Sequence, residues 1–265
     1  MSTPVSPVAD STALAHGLKT RHLTMMGLGS AIGAGLFLGT GVGIAAAGPA
    51  VLIAYVIAGF ITVCFMQMLA EMVAARPSSG TFSTYAAQAF GPWAGFTIGW
   101  LYWFMMIMIM AVEITGASAI VAAWFGISPW LPALAAIVIF TVINFSAVKN
   151  FGEFEFWFAL IKVAVIIAFL AIGVALWLGL LPAGGFVGLN NVNEVGFMPN
   201  GWSGVATALL AVAFAFGGIE LVTVAAAESE DPQAGVHSAI RSIIWRISVF
   251  YIGSVLLIVL LLPFD

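Results

Sequence analysis

Eight glycines punctuate one apolar stretch, MGLGSAIGAGLFLGTGVGIAAAG: Gly27, Gly29, Gly33, Gly35, Gly39, Gly41, Gly43 and Gly48. Each glycine in a helix interior costs roughly 1 kcal/mol relative to alanine. Inside a bilayer an opened helix leaves N–H and C=O groups that must find partners. Such backbone can serve a ligand. A half-helix N-terminus offers free N–H groups and a positive dipole end to an anion, while unwound carbonyls accept from a cation or ammonium group. A second interruption stands at Gly217-Gly218 in AFAFGGIE. Gly29/Gly33 and Gly35/Gly39 are also GxxxG spacings, which let helices pack closely, and the two uses can coexist. Three ionisable residues lie in otherwise apolar sequence: Glu113 in MIMIMAVEITGAS, Lys162 in EFWFALIKVAVIIAFLAIG and Glu220 in FGGIELVTV. Membrane carboxylates commonly serve proton relays; the structural alternative for Glu113 and Glu220 is a protonated carboxyl bonded to a neighbouring helix. Lys162 reads either as a buried ammonium able to gain or lose a proton or as a side chain snorkelling past Phe158 to the interface.

The elements that must position these residues are membrane helices. The chain is 63% hydrophobic and 7% charged, whereas about a quarter of a soluble domain is charged. Runs of 18 or more apolar residues recur, each readable as a span, so the fold class is all-α and polytopic; outer-membrane barrels show short alternating segments instead. Cys64 is the single cysteine, and His16, His22 and His237 are scattered. No disulfide framework, metal site or cofactor is expected, and no nucleophile–base set suggests an enzyme. Residues 1–18 read as a disordered tail without a signal peptide. Seven spans are predicted at 22–47, 49–73, 93–125, 130–148, 154–181, 203–227 and 242–263.

If the spans alternate, Lys19, Arg21, Arg76, Lys149, Arg241 and Arg246 all fall on one side. By the positive-inside rule that side, with the N-terminus, is cytoplasmic. The break at Gly33-Ala34-Gly35 comes ten or so residues into the first span, about 15 Å deep at ~1.5 Å per residue and so near the bilayer midplane. Gly217-Gly218 breaks the sixth span, which runs the opposite way, at a similar depth. Paired broken helices of opposite direction are the pattern of inverted-repeat secondary transporters, and a zwitterion would suit such a site. Phe214 and Phe216 flank the second break. The nine Trp, with Tyr102 and Tyr251, need no binding role, several being placed for an aromatic belt.

Together these segments resemble the amino acid–polyamine–organocation superfamily, in its bacterial amino acid permease branch. The resemblance is carried by GLKTRHLTMMGLGSAIGAGLFLGTG, AGPAVLIAYVIAG, LAEMVAARPSSGTFSTYAAQAFGPWAGFTIGWLYW, AVKNFGEFEFWFALIKV, FAFGGIELVTVAAAESEDP and IIWRISVFYIGS. It implies the leucine-transporter-like fold of two inverted five-helix repeats, here the first repeat plus two helices of the second. It also implies backbone contacts from Gly33, Ala34 and Gly35 to a substrate carboxylate, with Ser30, Ala31 and Ile32 beside them. Phe214, Ala215 and Phe216 would offer carbonyls to the amino group, with the phenyl rings as gates. Lys162 matches the family's fifth-span lysine, standing where sodium-coupled relatives hold a cation, and Glu113 matches a third-span acidic position.

The resulting expectation is a secondary active importer of amino acids in the cytoplasmic membrane, working by proton symport and alternating access. Its partners would be a small amino acid and membrane lipids, not nucleic acid. The rivals are a transporter-derived sensor and an inactive truncated subunit. Residues 19–265 read as a permease domain that lacks the family's later spans, so a fragment of a longer transporter, with a missing C-terminal half, is expected. VTVAAAES and IWRISVFY look most like permeases for γ-aminobutyrate, though aromatic, proline and alanine/glycine permeases share most of the same text.

Overall fold

The structure, a computed structural model, describes residues 32–76, 81–145, 148–181, 188–219, 244–245 and 247–263. The predicted tail, Ser30, Ala31 and Glu220 lie outside these residues, as do five of the six cations used for orientation or their side chains; Arg76 is described and exposed. The described residues form helices and turns, with no strand among them.

Helix α1 covers Ala34–Ala47 and is followed by a 3-10 turn at Gly48–Ala50 and by α2, Val51–Ala75. The apolar stretch Gly35–Val73 holds 39 residues. Unbroken, it would run about 58 Å, nearly twice a ~30 Å hydrocarbon core. The turn divides it into two passes: Gly48 takes φ 61°, a left-handed backbone open to glycine, and Pro49 follows. Next come α3 (Thr81–Phe90), α4 (Pro92–Phe125), α5 (Trp130–Asn144) and α6 (Val148–Trp177). Then α7 (Asn190–Val195) and α8 (Gly201–Ala215) are followed by a π turn at Ile247–Ile252 that runs into α9 (Gly253–Leu261).

Gly35–Val73, Pro92–Phe125 and Phe156–Trp177 are long and apolar enough to cross a membrane, while Trp130–Asn144, Gly201–Ala215 and Ile247–Leu261 are shorter apolar helices. These six apolar stretches overlap the seven predicted spans, with Gly35–Val73 shared between the first two. Helices α3 and α7 fall where the sequence reading placed only connections. The sixth span is helical only to Ala215; its predicted continuation to 227 leaves the described residues after Ile219.

The core gathers residues of α1, α2, α8, the π turn and α9, including Leu36, Val51, Tyr55, Val212, Phe216 and Tyr251. By contrast α5 buries none of its residues and α4 buries only Ala94, Ser118 and Ala122. The exposed apolar side chains of α4 to α6 suit contact with lipid, where no water has to be excluded. The central helices are therefore the two that carry the glycine breaks and the two packed directly on them.

Candidate functional site

The first predicted break falls at Gly33, just before α1. Ile32 is fully buried, Gly33 is extended at φ −97° and ψ 179°, and the helix begins at Ala34. Leu36 N–H donates to Gly33 O at 3.3 Å. The first N–H groups of a helix lack partners within it, so this end presents donors and a positive dipole end. The expected opening over Gly33-Ala34-Gly35 is thereby narrowed, because Gly35 is already helical.

Gly35 instead brings two helices together. A β-carbon there would lie 2.7 Å from Ala215 Cα and 3.1 Å from Phe214 O. Gly39 lies against Ala211 O and Gly43 against Val212 and Ala208, while Gly204 lies against Ala46 O and Ala47. Residue numbers rise along α1 as they fall along α8, so the two half-helices pack antiparallel. Asn200 Nδ2 donates to Ala46 O at 2.8 Å and ties their far ends. Close packing and the start of a helix thus fall on neighbouring glycines, Gly35 and Gly33.

The antiparallel arrangement places the N-terminus of α1 beside the C-terminus of α8. After Ala215 the chain turns tightly: Phe216 N–H donates to Ala213 O and Gly217 N–H to Phe214 O, both at 3.2 Å. Gly218 then adopts φ 90°, a conformation that costs glycine little and other residues more. The last carbonyls of α8 carry the negative end of its dipole. One small region therefore offers N–H donors from Ala34 onward and carbonyl acceptors around Phe214–Phe216.

Glu113, on α4, reaches this region. A β-carbon on Gly33 would meet its Oε1 at 2.5 Å, so glycine makes room for the carboxylate. Gly217 faces the same helix, through Ile109 Cδ1. Lys162, read as either buried or snorkelling, is exposed on α6. Phe214 is half-buried, and Phe216 is 6% exposed in an aromatic cluster. Its ring stacks on Tyr251 at 5.0 Å and meets Tyr55 edge-on at 6.1 Å.

These two tyrosines were not anticipated. Tyr251, grouped by sequence with belt residues, is fully buried, and its hydroxyl donates to Ala215 O at 3.1 Å. Tyr55 is also fully buried, with its hydroxyl 2.7 Å from Thr40 Oγ1. A signal existed: a phenol deep in an apolar run, as in AVLIAYVIAG and SVFYIGSV, needs a partner where no water is available. On another face of α1 a cleft of about 300 Å³ lies against α6 and α9, with Thr40 and Ser254 among its lining. Ser254 is buried there, and its hydroxyl has no hydrogen-bond partner among the described residues. Among the described residues no group of three His, Cys, Asp or Glu converges on a point.

The amino acid permease family model matches residues 22–265. The aromatic amino acid transport protein AroP of Corynebacterium glutamicum is 67% identical over 253 residues, covering 95% of this chain and 55% of that protein. A probable GABA permease of Pseudomonas aeruginosa is 48% identical, covering 98% of this chain and 55% of the relative. The γ-aminobutyric acid permease of Escherichia coli is 47% identical, covering 95% and 54%. The chain thus spans about half the length of these relatives.

Proposed function

Because the chain belongs to the amino acid permease family, we propose that it carries the substrate-binding breaks of a proton-coupled amino acid importer of the cytoplasmic membrane, with a cytoplasmic N-terminus. The observation that carries this reading is the pairing of opposite helix ends, α1 at Ala34 against α8 at Ala215. A carboxylate fits the N–H groups at Ala34 and Gly35, with Ile32 and Gly33 beside it. An ammonium group fits the carbonyls of Phe214, Ala215 and Phe216, in a turn that Gly217 and Gly218 make possible. A substrate with both charges gains on both sides, since hydrogen bonds to charged groups contribute about 1.5–3 kcal/mol each.

The relative at 67% identity is named for aromatic amino acids, those at 47–48% for γ-aminobutyrate. Aromatic amino acids are therefore placed first, ahead of the γ-aminobutyrate that the local text suggested. Glu113 stands beside the first break and is the leading proton-coupling group; Lys162 and Glu220 are the other two. Alternating access would expose the paired breaks first to the outside and then to the cytoplasm. The test is uptake of labelled phenylalanine by vesicles carrying the protein expressed from its whole gene. An inward proton gradient should drive accumulation. Equal accumulation driven by sodium alone, with the proton gradient collapsed, would overturn proton coupling.

A further inference from the structure

We propose that Glu113 is an internal rival of the substrate carboxylate: ionised, it caps the N-terminus of α1 and occupies the anion half of the site, and a proton on it frees that half. This rests on the zwitterion reading above and gives the coupled proton a place and an order in binding.

A helix start is ordinarily capped by the residue before it, whose side-chain oxygen accepts from the second or third helical N–H. Gly33 holds that position for α1 and has no side chain to offer. The second and third N–H groups belong to Gly35 and Leu36, and Leu36 N–H is served by Gly33 O at 3.3 Å. Glu113 stands where a capping side chain would begin. Its Oε1 is 2.5 Å from the position of a Gly33 β-carbon, and Gly35 N is 3.9 Å from the same point. A carboxylate from α4 thus takes the place of the cap that Gly33 lacks. Glycine is what admits it, since a β-carbon and Oε1 cannot both be there.

The surroundings leave this role to Glu113. Helices α1, α3 and α5 pack against α4, and α8 lies across the site. Helices α1, α5 and α8 hold no titratable residue, and α3 holds only Tyr85, whose hydroxyl donates to Arg76 O. The other titratable residue of α4 is Tyr102, about three turns nearer its start. Lys162 is exposed on α6, and Glu220 lies outside the described residues. An anion in the first turn of a helix is stabilised by the dipole and the open N–H groups.

The substrate carboxylate needs the same N–H groups. Two carboxylates that share one site do not both stay ionised. The substrate's carboxylate therefore enters when Glu113 takes up a proton from the aqueous side, and the neutral carboxyl gives up the cap. The carbonyls of Phe214, Ala215 and Phe216 receive the ammonium group at the other helix end, so the proton is linked to the anionic half alone. One proton thus accompanies each zwitterion onto the protein.

Equilibrium binding of labelled phenylalanine to the protein from its whole gene, in lipid nanodiscs without any gradient, tests the proposal. Over the pH range where phenylalanine keeps both charges, wild-type Kd should rise with pH, toward about tenfold per pH unit, the limit for one linked proton. Glu113→Gln keeps the neutral shape at every pH. It should bind with one Kd throughout, close to the wild-type value in acid. At the alkaline end the wild-type protein should also withdraw about one proton per phenylalanine bound from weakly buffered solution, read with a pH dye, and Glu113→Gln should withdraw none. A wild-type Kd that stays level overturns the proposal, as does one that falls with rising pH, the mark of a carboxylate that holds the ammonium group. Undiminished pH dependence in Glu113→Gln overturns it too. Where that variant does not fold, the wild-type dye signal decides, and binding without proton uptake overturns the proposal. If the wild-type protein binds phenylalanine at no pH, the zwitterion reading itself fails and this inference falls with it.

Discussion

Replacing Gly35 by alanine tests whether the contact between α1 and α8 sets the geometry of the site. The new methyl group would lie 2.7 Å from Ala215 Cα and 3.1 Å from Phe214 O, both backbone atoms that no rotamer change can move. Carbon atoms pack at about 3.5–4.0 Å, so the helix ends must separate by roughly 1 Å. Overpacking of this kind typically costs about 1–3 kcal/mol. Gly41 provides the control within the same helix, because a β-carbon there meets nothing within 4 Å among the described residues. Gly41→Ala should gain about 0.5–1 kcal/mol from helix propensity alone. The assay pairs melting temperature in lipid nanodiscs with KM for uptake. Gly41→Ala should melt at or above wild type with unchanged KM. Gly35→Ala should melt lower and lose about tenfold or more in uptake efficiency, since displacements near 1 Å at a site are costly. If Gly35→Ala matches Gly41→Ala in both measurements, the packing argument is wrong.

Three other substitutions probe the surroundings. Gly33→Ala obstructs only the mobile end of Glu113; it should melt near wild type yet change the pH profile of uptake as Glu113→Gln does, and unlike profiles would separate the two residues. Lys162→Ala should abolish proton-driven uptake while inserting normally, with wild-type accumulation as the contrary result. Ser254→Ala removes a buried hydroxyl that has no partner among the described residues and should raise stability by up to about 1–3 kcal/mol, the desolvation cost of such a group; a lower melting temperature would show that the hydroxyl is satisfied in the membrane.

Much of this arrangement could be read from residue types. Apolar runs located the helices, and the glycine pairs lie where α1 begins and α8 ends. Spacing could not divide the work among neighbouring glycines. Gly33 admits a carboxylate, Gly35 admits a helix and Gly41 borders open space, and which applies depends on what lies opposite. The same limit hid Tyr55 and Tyr251. In an apolar run a tyrosine suits an interface as well as a core, and only the fold shows that both surround Phe216. The exposure of Lys162 was equally out of reach, since it depends on how α6 is rotated. Helices α3 and α7 were missed because neither is a long apolar run.

In the proposed site the paired helix ends bind both charges of a zwitterion. Competition against labelled phenylalanine by its amide, which lacks the carboxylate, and by 3-phenylpropionate, which lacks the ammonium group, tests it most directly. Each analogue should compete at least about tenfold more weakly than phenylalanine, from the loss of charge-assisted bonds on one side. Competition by either analogue as strong as that of phenylalanine would contradict it.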